Sequence, residues 1–373
     1  MANNNNTKNL NVPNLRFPEF TGEWKLNILD SVCTFHNGRA YKQHELLSAG
    51  KYRVLRVGNF FTNDSWYYSD LELEEDKTAS DGELLYAWSA SFGPRFWKGE
   101  KVIYHYHIWK IDSFQEVCKE FLFYFLEKDA ASIKNEVQGG TMAHITKADM
   151  ERRNITYPTI CEQSKIARLL FLLDHRIATQ NKIIEDLKKL KSAISERLFK
   201  SVKGFTVLLS DLCDIVKGKQ INGENLSDSG NYYVMNGGTE PSGYYDNYNV
   251  EASTISISEG GNSCGYVQFN TSPFWSGGHC YSIQNIADKV DNMYLYHYLK
   301  SNEDAIMKLR IGSGLPNIQK KDLAMFKIIV PKIEWQIKIS TFLSSLERKA
   351  EIEERIQNVM QKQKLYLLQQ MFI

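Results

Sequence analysis

The chain repeats itself, and that repeat limits its folds more than anything else in the sequence. From about Phe121 onward, adding 173 to a residue number lands on a counterpart without a gap. Phe121-Leu122-Phe123 meets Tyr294-Leu295-Tyr296, and Phe125-Leu126 meets Tyr298-Leu299. Gly139 meets Gly312, Ile145 meets Ile318, and Lys147 and Asp149 meet Lys320 and Asp322. Pro158 and Gln163 meet Pro331 and Gln336, and the register still holds at Lys191 with Lys364 and Phe199 with Phe372. Earlier in each half the offset is 180, pairing Leu29, Cys33 and Gly38 with Leu209, Cys213 and Gly218. One register kept over so many matches is the signature of a duplicated unit. Each unit reads as a strand-rich part followed by a long helix. The strand-rich parts differ most and the approach to each helix differs least, as expected of a fixed scaffold carrying two variable heads.

The helices are legible from their spacing. Between Thr159 and Lys203, apolar residues fall at Ile166, Leu170, Leu173, Ile177, Ile184, Leu187, Ile194 and Leu198, the three-and-four spacing of a coiled-coil seam. Thr159 with Glu162 predicts a capping box, and Gly204 predicts the stop. Some 40 residues at about 1.5 Å each give a rod of roughly 60 Å, long for a globular domain and suited to a spacer. The second helix, about Glu334 to Met371, holds the seam at Ile339, Leu343 and Leu346. Ile352, Ile356 and Val359 then fall one position early, which predicts a local stammer with Ile356 still in the seam. Two such stripes bury best against each other, as an antiparallel pair, with a coiled coil to another protein as the competing explanation.

The strand-rich parts carry turn signals such as Asn37-Gly38, and strands are expected at Tyr52–Val57, Leu84–Trp88 and the alternating run Val102–Ile111. The expected fold class is α+β, with two tandem mixed strand-rich domains, each followed by a long helix, and the helices pairing as an antiparallel coiled coil. The expected boundaries are 1–155 for the first domain (with 1–12 a flexible, Asn-rich tail), 156–203 for the first helix, 204–330 for the second domain and 331–373 for the second helix.

Charge and motifs exclude several function classes. The net charge of +1 argues against simple electrostatic coating of nucleic acid. The balance runs −2 over 1–155, +5 over 156–203, −4 over 204–328 and +2 over 329–373, so the helices are basic and the heads mildly acidic. Six cysteines without a Cys-x-x-Cys pair fit reduced thiols, and no signal peptide or apolar run near 18 residues is present, so a cytoplasmic protein with no membrane span is expected. There is no phosphate-binding Gly-x-x-x-x-Gly-Lys-Ser/Thr, no Asn/Asp-Pro-Pro-Tyr/Phe tetrapeptide and no catalytic signature, so no enzyme activity is expected of this chain. Glu259-Gly260-Gly261 lacks the helix that should follow a phosphate cradle. His105 and His107 share one face of the expected strand, but no third ligand stands at a zinc spacing, so no metal site is expected.

Two glycine-bearing loops, Gly312–Lys321 and its counterpart Gly139–Lys147, combine close backbone approach with hydrogen-bond donors. They read equally well as turns before a strand. Trp88–Lys98 mixes aromatic residues with Arg95 and Lys98, a combination that serves either nucleic-acid contact or core packing.

Taken in order, these motifs resemble the specificity subunits of type I restriction–modification systems. The opening Pro13-Asn-Leu-Arg-Phe-Pro-Glu-Phe20 with Gly22-Glu-Trp24 is similar to their start. So are Gly82–Gly93, Gly312–Leu323, the Pro-x-x-x-x-Gln helix starts at Pro158 and Pro331, and the ending Leu367-Leu-Gln-Gln-Met-Phe372. The resemblance covers essentially the whole chain. It implies that each strand-rich part is a target recognition domain reading one half of a bipartite double-stranded DNA site, and that the paired helices set the gap. It implies partners: two methyltransferase (modification) subunits using S-adenosylmethionine, and restriction subunits using ATP and Mg2+, with no cofactor in this chain. Recognition loops vary in this family, so DNA-contact candidates rest on side-chain chemistry alone. They are Arg39, Lys42, Arg53, Arg56, Arg95 and Lys98 in the first domain, and Lys217, Lys219, Arg310, Ser313, Gln319 and Lys320 in the second. The competing reading is a coiled-coil scaffold whose two aromatic-rich domains bind protein or carbohydrate.

Overall fold

A computed structural model describes residues 11–61, 63–89, 92–136, 145–312, 314 and 316–373. It divides into two compact units, Met1–Thr179 with Gln357–Ile373, and Gln180–Ile356. The long helices run Ile160–Ser201 and Ile333–Met371, so each contributes to both units.

In the first unit, Lys25–Ile28 pairs antiparallel with Asn154–Tyr157. Above this ribbon a four-stranded sheet runs in the order Thr34–Asn37, Ile108–Asp112, Leu84–Ala87, Gly93–Phe96. A second sheet runs Tyr67–Ser69, Tyr52–Leu55, Val102–Tyr104, Thr78–Ala79, with its central pair parallel. Leu84–Ala87 is buried along its whole length, which fits a central strand without polar alternation. The helix Lys119–Glu136 supplies Phe121, Leu122 and Phe125 to one core with Trp109 and Tyr86, whose rings stack at 5.8 Å.

The second unit repeats this plan. Phe205–Leu208 pairs with Lys327–Val330, and a four-stranded sheet runs Asp214–Lys217, Cys280–Gln284, Thr254–Ser258, Val267–Asn270. The second sheet is here three-stranded, in the order Tyr244–Tyr245, Tyr232–Met235, Trp275–Ser276, and it too contains a parallel pair, Tyr232–Met235 with Trp275–Ser276.

The repeat extends to individual hydrogen bonds. Gln163 is fully buried, with Nε2 donating to the carbonyls of Glu116 (2.8 Å) and Pro158 (2.9 Å) and Oε1 accepting from the Cys118 amide (2.8 Å). Gln336, equally buried, donates to Lys289 (3.0 Å) and Pro331 (2.8 Å) and accepts from Asp291 (2.9 Å). These partners are related by the same offset of 173. The Pro-x-x-x-x-Gln pattern is therefore a clamp that closes the helix start onto its own head, three bonds satisfied by one amide. Cys33 and Cys213 also match, each buried and donating its thiol to the carbonyl of Leu29 (3.4 Å) or Leu209 (3.3 Å), with burial pushing both thiols up to about 12.

Four sequence expectations change. The run Val102–Ile111 is two strands in different sheets, because the His105 amide donates to Leu55 and turns the chain at 105–107. His105 and His107 therefore sit on a corner. Gly204 is three residues beyond the helix; a Cβ there would meet the Val330 carbonyl oxygen at 2.4 Å, so it is glycine for close approach to the neighbouring strand. Glu162, expected to cap the helix, is instead held by Arg16 through two bonds of 2.7 and 2.8 Å.

The fourth change concerns the seam. Ile352, Ile356 and Val359 are exposed, Ile356 by 39%. The burial stripe of the second helix instead continues unbroken from Ile339, Leu343 and Leu346 through Ala350, Glu353, Gln357, Met360, Lys364 and Leu367. These positions are the offset-173 counterparts of Ile166, Leu170, Leu173, Ile177, Gln180, Ile184, Leu187, Lys191 and Ile194, all buried or half-buried. No stammer is needed, because polar side chains occupy seam positions with partners. In the second unit the Gln180 amide donates to Glu353 Oε2 (2.6 Å) and Lys191 pairs with Glu347 (2.6 Å), so the two helix segments there run antiparallel. In the first unit Lys364 pairs with Asp174 (2.7 Å), the repeat image of Lys191 with Glu347.

Candidate nucleic-acid interface

The same corner of each head carries very different side chains. In both, the turn after the first sheet strand is pinned by a glycine: a Cβ on Gly38 would meet the His105 carbonyl oxygen at 2.3 Å, and one on Gly218 the Gly277 oxygen at 2.2 Å. No side chain fits there, so the following residue is delivered to a fixed place. Arg39 and Lys219 are those residues, with their amides bonded to Tyr104 and Ser276 respectively. A second bond locates the facing loop, from the Trp88 amide to the His107 carbonyl (3.1 Å) in the first head and from the Glu259 amide to His279 (2.8 Å) in the second. Trp88 and Glu259 therefore occupy one structural position, as do His107 and His279.

In the first head this corner is aromatic. Trp88 packs edge-on against His107 at 5.0 Å and Tyr106 at 6.1 Å, and its indole nitrogen donates to the Tyr106 carbonyl (2.8 Å). His105 stacks with Tyr41 at 6.4 Å, and burial lowers its pKa to about 4, so its imidazole is neutral near pH 7. Tyr106 is exposed and the histidines half-exposed, so the cluster offers ring edges and faces to a ligand.

In the second head the corner is charged. Glu259 is buried, with Oε1 accepting from Lys217 Nζ (2.6 Å) and the Tyr281 hydroxyl (3.1 Å). Its Oε2 makes no hydrogen bond and lies 3.7 Å from His279 Nδ1. Lys217 and His279 are both more than half exposed, so the carboxylate presents two nitrogen-bearing groups outward. The two glycine motifs of the sequence meet here: the Gly261 amide donates to Pro316, and the Ile318 amide to Glu259.

The other candidates scatter. Arg39 is paired with Glu45 at 2.6 Å, Arg53 lies over the Trp66 ring at 5.5 Å and Arg56 over Tyr67 at 4.3 Å; Lys42 is exposed. Arg95, over the Phe61 ring at 4.8 Å, and Lys98 line a cleft of about 390 Å³ with Asn59, Trp97 and Phe123. Arg310 lines another cleft of about 600 Å³ with Lys308 and Asp322. Gln319 and Lys320 are exposed at the start of the short helix Lys320–Ala324, and Lys219 is exposed at its corner. Ser313 and the loop of residues 139–144 lie outside the described residues. Among the described candidates, only Arg39, Lys217 and Lys219 belong to the corner that the two heads share. Sequence reading undervalued Trp88, His105, His107, Glu259 and His279. The His-x-His pair and the Glu-Gly-Gly triplet were the signals, and the repeat alignment across the heads would have joined them.

Among the described residues there is no cluster of metal-ligating side chains and no helix long and apolar enough to cross a membrane. The family model of the type I restriction modification DNA specificity domain matches residues 21–189 and again 204–362. A putative type I specificity subunit of Mycoplasma genitalium is 34% identical over 32% of this chain, an alignment spanning 31% of that relative's length. The specificity subunit of the type I restriction enzyme MjaVIII of Methanocaldococcus jannaschii is 24% identical over 76% of this chain and 77% of its own. The crystal structure of the S subunit of a type I restriction-modification system from M. genitalium superposes over 97% of this chain and 99% of its own, with a TM-score of 0.67 at 19% identity, a likeness of fold.

Proposed function

We propose, from the premise that the chain belongs to the type I restriction modification DNA specificity family, that it selects the DNA target of a modification–restriction complex. Each head reads one half of a bipartite duplex site, and the two long helices, paired antiparallel along their seam, hold the gap. One turn of DNA spans about 34 Å, so heads on a stiff spacer accept half-sites only at a set distance and phase. Two modification subunits, carrying S-adenosylmethionine, and restriction subunits, using ATP and Mg2+, perform the chemistry in the cytoplasm; this chain contributes recognition and docking without a catalytic group.

The observation that carries this reading is the pair of corners. Two copies of one scaffold, alike down to the three bonds of Gln163 and Gln336, place Trp88 and His107 in one head where Glu259 and His279 stand in the other. A protein binding the same ligand twice would keep its tips and could vary its frame. Here the frame is kept and the tips differ, as reading two different half-sites requires. The family's Arg–guanine and Asn/Gln–adenine pairings are available from Arg39, Lys217, Lys219 and Gln319.

The test is co-expression with modification subunits followed by mapping of methylated adenines. A bipartite site is expected, and replacing residues 24–155 with those of a relative changes one half of it. A change in both halves, or in neither, overturns the two-head reading. Inserting seven residues into Ile160–Ser201 changes the gap and leaves both half-sites intact; an unchanged gap removes the helix from the role of spacer.

A further inference from the structure

The two units differ in one place where the repeat predicts likeness. In the first, the opening turns of Ile160–Ser201 are covered by the chain's own N-terminal segment. Arg16 grips Glu162, which is only 1% exposed, and also donates to the Gly22 carbonyl (2.6 Å). Lys165 pairs with Glu19 and stands over the Phe17 ring at 4.5 Å, and Leu169, one turn further on, is half-buried. Along one helix face, Glu162 and Lys165 are thus met by a segment reading Arg-Phe-Pro-Glu, and Leu169 is the next residue on that face.

In the second unit the counterparts are Trp335, Lys338 and Phe342. Among the described residues no segment covers them, since the preceding chain runs directly from the first long helix into Phe205–Leu208. Trp335 is 58% exposed and Phe342 46%. Lys338 stands over the Trp335 ring at 5.1 Å, as Lys165 stands over Phe17, but no described carboxylate takes the place of Glu19. At the adjoining strand, Phe205 is 83% exposed. The charge around this face is also reversed. Where the first unit has Glu23, Glu116 and Thr159, the second has Lys203, Lys289 and Lys332, all exposed.

We infer that the face of Trp335, Lys338 and Phe342 is a docking surface for an extended, acidic segment of a modification subunit bearing an aromatic side chain. The inference rests on the function proposed above. A polypeptide is favoured over DNA for two reasons. Large apolar side chains gathered on one exposed face mark protein contacts, and the equivalent face is occupied by polypeptide. The first unit supplies its own cover and the second borrows it, so the two halves bind their modification subunits unequally.

The experiment places a photoreactive amino acid at Trp335 in the full-length chain, purified as the complex with its modification subunits. Crosslinks are expected to an acidic, aromatic-bearing stretch of that subunit. In parallel, Trp335→Ala with Lys338→Glu is expected to weaken binding of one of the two modification subunits about tenfold or more, with an unchanged melting temperature. Val359→Ser, exposed on the other unit's share of the same helix, serves as control and leaves binding unchanged. Crosslinks to a second copy of this chain, crosslinks to added duplex DNA, or full affinity in the double variant would each overturn the inference. If the complex forms normally and methylates a bipartite site while position 335 crosslinks to nothing, only the docking surface is wrong. If no complex forms with the unaltered chain, the proposed function falls and the docking surface falls with it.

Discussion

The two units share a frame and differ at its edges. The clamps of Gln163 and Gln336 use the same three kinds of partner at the same offset, and both glutamines are fully buried. The corners built on Gly38 and Gly218 are equally fixed in backbone, yet one presents clustered aromatic rings and the other a carboxylate with attendant nitrogen groups. At the corners the side chains diverge on a kept backbone, while in the clamps the groups that satisfy buried backbone atoms are retained. A duplicated domain can then change what it reads without relearning how to fold.

The hardest test of that likeness is removal of the clamps. Gln336→Leu keeps the volume but leaves two carbonyls and one amide buried without partners, at a cost of about 3 kcal/mol or more. Gln163→Leu should cost the same within about 1 kcal/mol. Denaturant unfolding of both variants checks this, and a large inequality would mean the frames are alike in geometry but not in energy.

The next test looks for a difference. His297, buried in the second unit, accepts or shares a hydrogen bond with Ser344 Oγ (2.9 Å), and burial lowers its pKa to about 4 against the opposing pull of Glu347 and Asp291, with Lys191 reinforcing the shift. Its counterpart in the first unit is Tyr124, which does not titrate in acid. A folded pKa below the unfolded value means the unfolded chain binds the extra proton first, so stability falls as pH drops from about 6.5 toward 4. The loss reaches about 3 kcal/mol at the low end of that window. His297→Gln should flatten this part of the stability–pH curve. An unchanged slope would place the acid sensitivity elsewhere.

Smaller still is the effect of the seam lysines. Lys364 bridges Asp174 (2.7 Å) and Glu127 (2.8 Å), whereas its repeat image Lys191 meets Glu347 alone (2.6 Å), because Lys300 stands where the first unit has Glu127. Lys364→Met removes the ion pair from two partly buried carboxylates, Asp174 keeping the Tyr124 hydroxyl (2.9 Å), and is expected to cost about 2 kcal/mol, against about 1 kcal/mol for Lys191→Met. Equal costs would show that the second carboxylate is paired only in appearance.

Much of this frame could be read from the sequence, for identifiable reasons. The offset of 173 paired Gln163 with Gln336, the two helix starts, and Phe121 with Tyr294, and the structure makes the first pair clamps and the last pair core. What could not be read depended on distant partners. The chain turns at His105 because of a bond to Leu55, although the apolar alternation through Val102, Tyr104, Tyr106 and Ile108 argues for one continuous strand. Glu162 faces Arg16, 146 residues away, which no local capping rule anticipates. The corners stayed hidden because their members, Trp88 with His107 and Glu259 with His279, become neighbours only when the sheets form.

The seam was misread for a related reason, and the last prediction turns on it. Pattern reading follows apolar residues, so it moved with Ile352, Ile356 and Val359 when the buried stripe passed through Glu353, Gln357 and Met360. Polar groups can hold seam positions when each finds a partner, as Gln180 does with Glu353. Ile356 then contributes little to folding, since its side chain is already 39% exposed. Ile356→Gln is expected to change stability by less than about 0.5 kcal/mol, while a stammered seam with Ile356 inside would lose about 2 kcal/mol or more on the same substitution. Thermal unfolding distinguishes the two. A small change with normal assembly would leave Ile352, Ile356 and Val359 as an outward apolar row on a helix whose pairing face is kept in step with its twin by the repeat itself.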